Sequence, residues 1–147
     1  MKYFLFIILL FLIQNGCSQV KDMDLRQKAI EEIKNTEKEF AAYVKEHGIT
    51  EGFYKFASED AVLNHGENLV KGKEAIKLHY LSKNADKNKL EWTAEFVDAA
   101  ESGELGYTYG SYIYLVPDSL GGFTKYTGVF HTVWKKQING TWKFVWD

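Results

Sequence analysis

The closing stretch, Phe123 to Asp147, constrains this chain most, because its side chains sort cleanly in only one strand register. Two runs, Phe123–Gln137 and Thr141–Asp147, flank Ile138-Asn139-Gly140. Asn-Gly between alternating apolar residues is hairpin-turn chemistry. A two-residue loop would set Trp142, Phe144 and Trp146 against Gln137, Lys135 and Val133. A three-residue loop, with Gly140 in the left-handed position of a bulge, sets them against Lys136, Trp134 and Thr132. The second register gathers Phe130, Trp134, Trp142, Phe144 and Trp146 on one face. It leaves His131, Val133, Lys135, Lys143, Val145 and Asp147 on the other. A slip of one residue exchanges the faces, so the segregation of rings selects the bulged turn. Burying each ring is worth roughly 1.5–3 kcal/mol. That face is a core wall, and something helical must cover it.

The preceding chain supplies the cover. Asp24 can cap a helix, with Gln27 placed to reach back. Ile30, Ile33, Phe40, Ala41 and Val44 then recur at helical spacings, with Ala29 and Thr36–Glu37 filling the seam, and Gly48 closes the helix. Thr50 can cap a second, short helix bearing Phe53, Tyr54 and Phe56. Asp60–His65 reads as a brief strand, Gly66 turns it, and Leu69-Val70 pairs back. Lys73–Lys83 is a third helix with Ile76, His79 and Tyr80 on one face, followed by polar loop at Asn84–Asn88.

Two long strands remain. In Leu90–Ala100 the apolar set Leu90, Trp92, Ala94 and Phe96 alternates with polar residues, the mark of a half-buried strand. Leu105–Val116 has tyrosines on both faces, which leaves its inward side open, with Leu105, Tyr107 and Tyr109 the favoured set. Flat ribbons of this length would not wrap a helix, so the sheet must curl, and Gly106, Gly110 and Gly128 lie mid-strand where a bend is needed. Three helices followed by a strongly curved antiparallel sheet make an α+β cone.

Composition narrows the classes of function. Aromatic residues are 16% of the 147 and proline occurs once, which excludes a disordered or low-complexity chain. The length suits one domain. A formal net charge of −2, with no stripe of Lys and Arg, argues against a nucleic-acid partner. The single cysteine, Cys17, follows a basic start and an apolar run, Tyr3–Ile13, that is too short to span a bilayer, which takes about 20 residues. With small Gly16 before it, this segment resembles a bacterial lipoprotein signal. Residues 1–16 would then be a signal peptide, Cys17 the lipidated residue, 18–23 a tether and 24–147 the domain. The expected address is the bacterial cell envelope, facing the periplasm or the cell surface, with the membrane touched only through the lipid anchor. Gln14 stands where that signal has Leu or Val, so ordinary cleavage near Gly16 or Ser18, or an uncleaved short anchor, stays open.

The order of helices, then Phe56-Ala57-Ser58-Glu59-Asp60-Ala61-Val62, then Gly72-Lys73-Glu74-Ala75-Ile76, carries a family resemblance together with the tryptophan hairpin Val133–Lys143. The chain resembles the nuclear transport factor 2-like superfamily, and within it the SnoaL-like branch and related small bacterial domains of unknown function. The resemblance spans about Asp24 to Asp147. It implies a cystatin-like α+β cone whose open end holds a pocket, and a homodimer across the outer sheet face. Members include isomerases, dehydratases, cyclases, ligand binders and assembly domains, so fold analogy does not choose among them.

His65 is the sharpest chemical candidate. Set beside the matching strand of ketosteroid isomerases, it stands where they keep an aspartate base, and an imidazole suits proton abstraction at neutral pH. The same resemblance asks for a neutral acid on a late strand. Counting back from the hairpin turn puts that place near Thr132, which is no acid. A tyrosine can donate instead, from among Tyr43, Tyr54 and Tyr80 on the helices or Tyr107, Tyr109 and Tyr126 on the strands. His79 reads as a core or pocket-rim histidine, and Trp92 and Phe130 as rings lining a cavity. His131 stands opposite Asp147 in the bulged register, as a surface pair or a subunit contact. Metal-ligand spacing, a phosphate loop, a dinucleotide fingerprint and a serine elbow are all missing, so neither metal nor cofactor is expected. Three readings follow. The leading one is a binder of a small, largely apolar organic molecule. The second is an isomerase, dehydratase or cyclase with His65 as general base. The third is a non-catalytic module pairing through Thr127, Val129, His131, Val133 and Val145.

Overall fold

A computed structural model describes the backbone of residues 2–147 and the side chains of residues 25–147. The expected signal peptide, the lipid on Cys17, the 18–23 tether and the cap at Asp24 all rest on side chains that lie outside the described ones. The elements are α1 (Lys2–His47), α2 (Ile49–Phe56), β1 (Ala57–His65), β2 (Asn68–Lys71), α3 (Lys73–Ser82), β3 (Lys89–Ala99), β4 (Leu105–Pro117), β5 (Phe123–Lys136) and β6 (Trp142–Trp146). A 3-10 turn at Ala85–Lys87 interrupts what the sequence suggests is plain loop. The six strands form one curled sheet in the order β2-β1-β6-β5-β4-β3. Its pairings are antiparallel except that β1 runs parallel to β6. Among the described residues no helix is long and apolar enough to cross a membrane.

The hairpin begins in the expected register and then leaves it. Gly140 adopts φ 85°, and its N–H donates to the Gln137 carbonyl at 2.8 Å, closing the three-residue turn. Lys136 faces Trp142 and Trp134 faces Phe144. Beyond that point Val133 pairs with Trp146, so Val145 is one residue too many in β6. A bulge of this kind reverses the facing of everything after it. Trp134, Trp142 and Phe144 are buried as the alternation requires. Trp146, expected inside, pairs with the outer-face residue Val133 and is half-buried, whereas Asp147, expected outside, turns inward.

β3 and β4 depart in the same way. A bulge between Ala94 and Phe96 turns Phe96 outward, where it stacks on Tyr109 at 5.0 Å between ring centroids. In β4 the buried set is Gly106, Thr108 and Gly110, and Leu105, Tyr107 and Tyr109 are exposed. The cause is space. A Cβ at Gly106 would lie 2.3 Å from Ile33 Cδ1 of α1, and one at Gly110 would lie 2.1 Å from the Thr93 carbonyl oxygen. With α1 and the β3 backbone pressed on Gly106, and β3 with the Phe130 ring on Gly110, the inner face of β4 has no room there for larger side chains, and the tyrosines at 107 and 109 face out.

α1 fills the concave side. The Phe40 ring lies 4.8 Å from Phe56 and from Trp92, 5.0 Å from Phe53 and 6.0 Å from Phe144. Edge-to-face geometry in such pairs adds about 0.5–1.5 kcal/mol beyond area burial. One turn earlier Glu37, placed in the seam by its spacing, is only 3% exposed. Its Oε1 accepts from Trp92 Nε1 at 2.6 Å, and its Oε2 accepts from Thr108 Oγ1 at 2.7 Å and Trp134 Nε1 at 3.0 Å. Burial pushes this carboxyl above the usual glutamate range, and the donors only partly pull it back.

Removing the carboxyl strands those donors, and each unpaired buried donor costs about 1–3 kcal/mol. Glu37→Ala should lower the unfolding free energy in urea by roughly 3–5 kcal/mol, and Glu37→Gln, which keeps one acceptor oxygen, by about half as much. An alanine variant within 1 kcal/mol of the parent would show that the network is not a structural tie.

Candidate functional site

The open end of the cone is a chamber of about 300 Å³. Its floor and walls come from every layer: Phe40 of α1, Phe53 of α2, Tyr80 of α3, Trp92 of β3, Tyr112 and Tyr114 of β4, and Tyr126 and Phe130 of β5. Leu63, Asn64 and His65 of β1 form one side, and Asp147 stands directly after β6. The polar groups are few, and neither Lys nor Arg is among the lining residues.

Asp147 is held firmly. Its N–H donates to the Val62 carbonyl at 3.0 Å, and its own carbonyl accepts from Asn64 N–H at 2.7 Å, which extends the parallel ladder between β1 and β6. Its Oδ2 accepts from Thr132 Oγ1 at 2.6 Å. The Val145 bulge has therefore set a carboxyl upon Thr132. Burial, with Glu37 adding like-charge repulsion, raises the Asp147 carboxyl to about 7 despite the hydrogen bond from Thr132. Burial also drives the Tyr80 phenol well above the usual tyrosine range, with Asp147 and Tyr114 contributing. Asn88 Nδ2 donates to Tyr114 Oη at 2.5 Å and fixes that ring.

His65 lines the chamber at the end of β1, and its ring lies 4.6 Å from that of His79. Partial burial lowers His79, helped by the neighbouring His65. Of the other residues singled out from the sequence, Tyr80, Trp92, Tyr126 and Phe130 line the chamber, and Thr132 lies beneath it through Asp147. The rest are elsewhere. Tyr43 faces a shallow outer groove between α1 and the hairpin turn, with Lys55 Nζ 3.7 Å above its ring. Tyr54 donates to Glu74 at 2.7 Å on the surface between α2 and α3. Tyr107 and Tyr109 lie on the outer sheet face, and Tyr107 rather than Asp147 is the ring neighbour of His131, at 5.9 Å. Tyr112 and Tyr114 were missed. The signal was present, since both share the parity of Gly106 and Gly110, the small residues that tolerate a helix.

No family model matches the chain, and no curated protein does. Solved structures do match. A ketosteroid isomerase-like protein from Erwinia carotovora atroseptica is 14% identical, with a TM-score of 0.66 over 80% of this chain and 91% of its own. A nuclear transport factor 2-like superfamily protein from Salmonella enterica serovar Typhimurium is 14% identical, with a TM-score of 0.65 over 82% and 88%. A nuclear transport factor 2-like protein with a cystatin-like fold, from Novosphingobium aromaticivorans, is 17% identical, with a TM-score of 0.63 over 82% and 79%. The likeness is one of fold. Chains of such low identity share the cone and its open end, and the chemistry of this one has to be read from its own side chains.

Those side chains predict a pH dependence of stability. The folded Asp147 keeps its proton up to about pH 7, whereas an unfolded aspartate releases it near 3.8. The folded state thus binds more protons between these values, and its stability falls as pH rises through them. Glu37 acts in the same direction, and His79, with a lowered value, in the opposite one. Because Asp147 is partly exposed, the loss between pH 5 and 7.5 should be about 2 kcal/mol rather than the full shift. Urea unfolding should show that decline in the parent and most of it gone in Asp147→Asn. Parallel pH profiles for the two proteins would contradict the assignment.

Proposed function

We propose that the cone binds one small, largely apolar organic molecule, and that the domain does so as an envelope lipoprotein tethered through Cys17. The observation that carries the reading is the chamber itself. A ring-lined cavity with a handful of convergent polar groups is how proteins hold apolar ligands, and about 300 Å³ lies at the small end of such sites. Homodimerisation through the outer sheet face belongs to the same proposal. There Val129 is 78% exposed, beside the exposed rings of Tyr107 and Tyr109. The envelope address is supported by the leader pattern in the sequence alone.

A second reading has a specific observation behind it. Asp147 supplies a raised carboxyl on Thr132, and His65 supplies a second titratable group in the same chamber. Two such groups whose environments differ are what proton transfer needs, so an isomerase, dehydratase or cyclase with His65 as general base and Asp147 as hydrogen-bond donor is the alternative.

Calorimetry with the neutral probe 1-naphthalenemethanol tests the first reading. Binding should be saturable, and Leu90→Trp, which replaces a lining leucine by an indole that fills the chamber, should weaken it at least tenfold. The absence of any binding to the parent would overturn it. His65→Ala should change that affinity by less than tenfold. If turnover of an enolisable ketone is found and vanishes in His65→Ala, the enzyme reading displaces the binder.

A further inference from the structure

We propose that the molecule held in the cone carries a protonated amine at one end, with the Asp147 carboxylate as its counter-ion. This rests on the chamber being a ligand site, and it names the chemical class of the ligand.

The chamber holds an acid with no basic partner among the described residues. Asp147 is fixed by backbone bonds on both sides and by one side-chain bond, from Thr132 to Oδ2. Among the described residues its Oδ1 accepts no hydrogen bond. The titratable groups that face it do not supply a fixed positive charge. Glu37 across the core is itself acidic, Tyr80 and Tyr114 are phenols, neither Lys nor Arg lines the chamber, and His65 on its wall sets its ring against that of His79. Asp147 is half-buried, so Oδ1 stays open to the chamber, and a carboxylate set among rings is stabilised by a cation that this lining does not supply. The surroundings suit one that arrives with a ligand. Trp92, Tyr112, Tyr126 and Phe130 contribute ring surfaces to the same chamber, and a cation is attracted to an aromatic face within about 6 Å of its centre. One acid at the floor of an aromatic cup is complementary to an apolar amine.

A neutral ligand with a carbonyl would be served by the protonated acid instead, and the two differ in sign. An ammonium ion selects the ionised carboxyl, so its binding strengthens as pH rises through 7 and releases a proton. A carbonyl selects the protonated form, so its binding weakens over the same interval.

The experiment compares 1-naphthalenemethylamine, protonated from pH 5.5 to 8, with 1-naphthalenemethanol of the same shape, by calorimetry on the folded domain. At pH 8 the amine should bind at least tenfold more tightly than the alcohol, and at pH 5.5 less than threefold. Near pH 7, buffers of different ionisation enthalpy should report proton release on amine binding to the unaltered protein. In Asp147→Asn the preference for the amine should fall to near unity at both pH values, while His65→Ala should retain it. If the alcohol binds and the amine gains nothing at pH 8, or the preference survives in Asp147→Asn, the amine proposal is wrong and the cavity reading stands. If neither probe binds, the cavity reading fails and this proposal goes with it.

Discussion

A buried carboxyl ties the helical layer to the middle of the sheet, with Glu32 and Arg26 of the same helix adding ties at the flanks to Trp142, Lys136 and Asp98. Glu37 sits on the buried side of α1 and takes hydrogen bonds from β3, β4 and β5, through Trp92, Thr108 and Trp134. Packing alone would allow α1 to slide or rotate on a concave sheet, because apolar contacts are not directional. Three donors converging on two oxygens do not allow it. They also explain a choice of residues that hydrophobic patterning leaves odd, since a threonine and two indoles with N–H groups face the middle of the core. Each needs an acceptor when buried, and Glu37 is that acceptor.

The second constraint is one of parity. Up to Phe144 the closing hairpin sorts rings inward and charged groups outward. Val145 then adds a residue, and Trp146 and Asp147 exchange faces. The exchange converts what would be a surface aspartate into the polar end of an aromatic chamber, held between Thr132 and the β1 backbone. The two interior carboxyls are coupled, since Glu37 is among the causes that raise Asp147. A fold that buries two acids without a basic partner for either is less stable than one with apolar residues there, and it is most so at neutral and alkaline pH. Such a cost is commonly tolerated where a site uses the group.

Most of the architecture was legible from side-chain periodicity. The three-residue turn at Gly140, the buried Trp142 and Phe144, the short β1–β2 arm and the helix from Lys73 all follow from alternation, helical spacing and turn chemistry. What was illegible has two physical reasons. A bulge leaves no mark in composition, yet it reverses parity, so Phe96, Trp146 and Asp147 were assigned to the wrong faces. The inward face of β4 was decided by how closely α1 and the bulged β3 approach it, a tertiary quantity, and Gly106 and Gly110 announced it only once Ile33 and Thr93 were seen beside them. Tyr43 and Tyr54 were offered as donors by residue type, but Tyr43 packs at the core's edge against Phe56, Tyr54 bonds to Glu74 at the surface, and neither lines the chamber. The candidate site was thus half visible: the ring wall and His65 could be read, while the acid that gives the chamber its polarity could not.

Asp147, the residue after β6, turns inward, and the charge of Glu37 acts on its carboxyl. Carbon-13 NMR of the side-chain carboxyls, followed from pH 3 to 9, tests it directly. Asp147 should titrate near 7, and in Glu37→Gln its midpoint should move down. A midpoint near 3.8, unmoved by that substitution, would mean that Asp147 faces water and that the chamber has no acid.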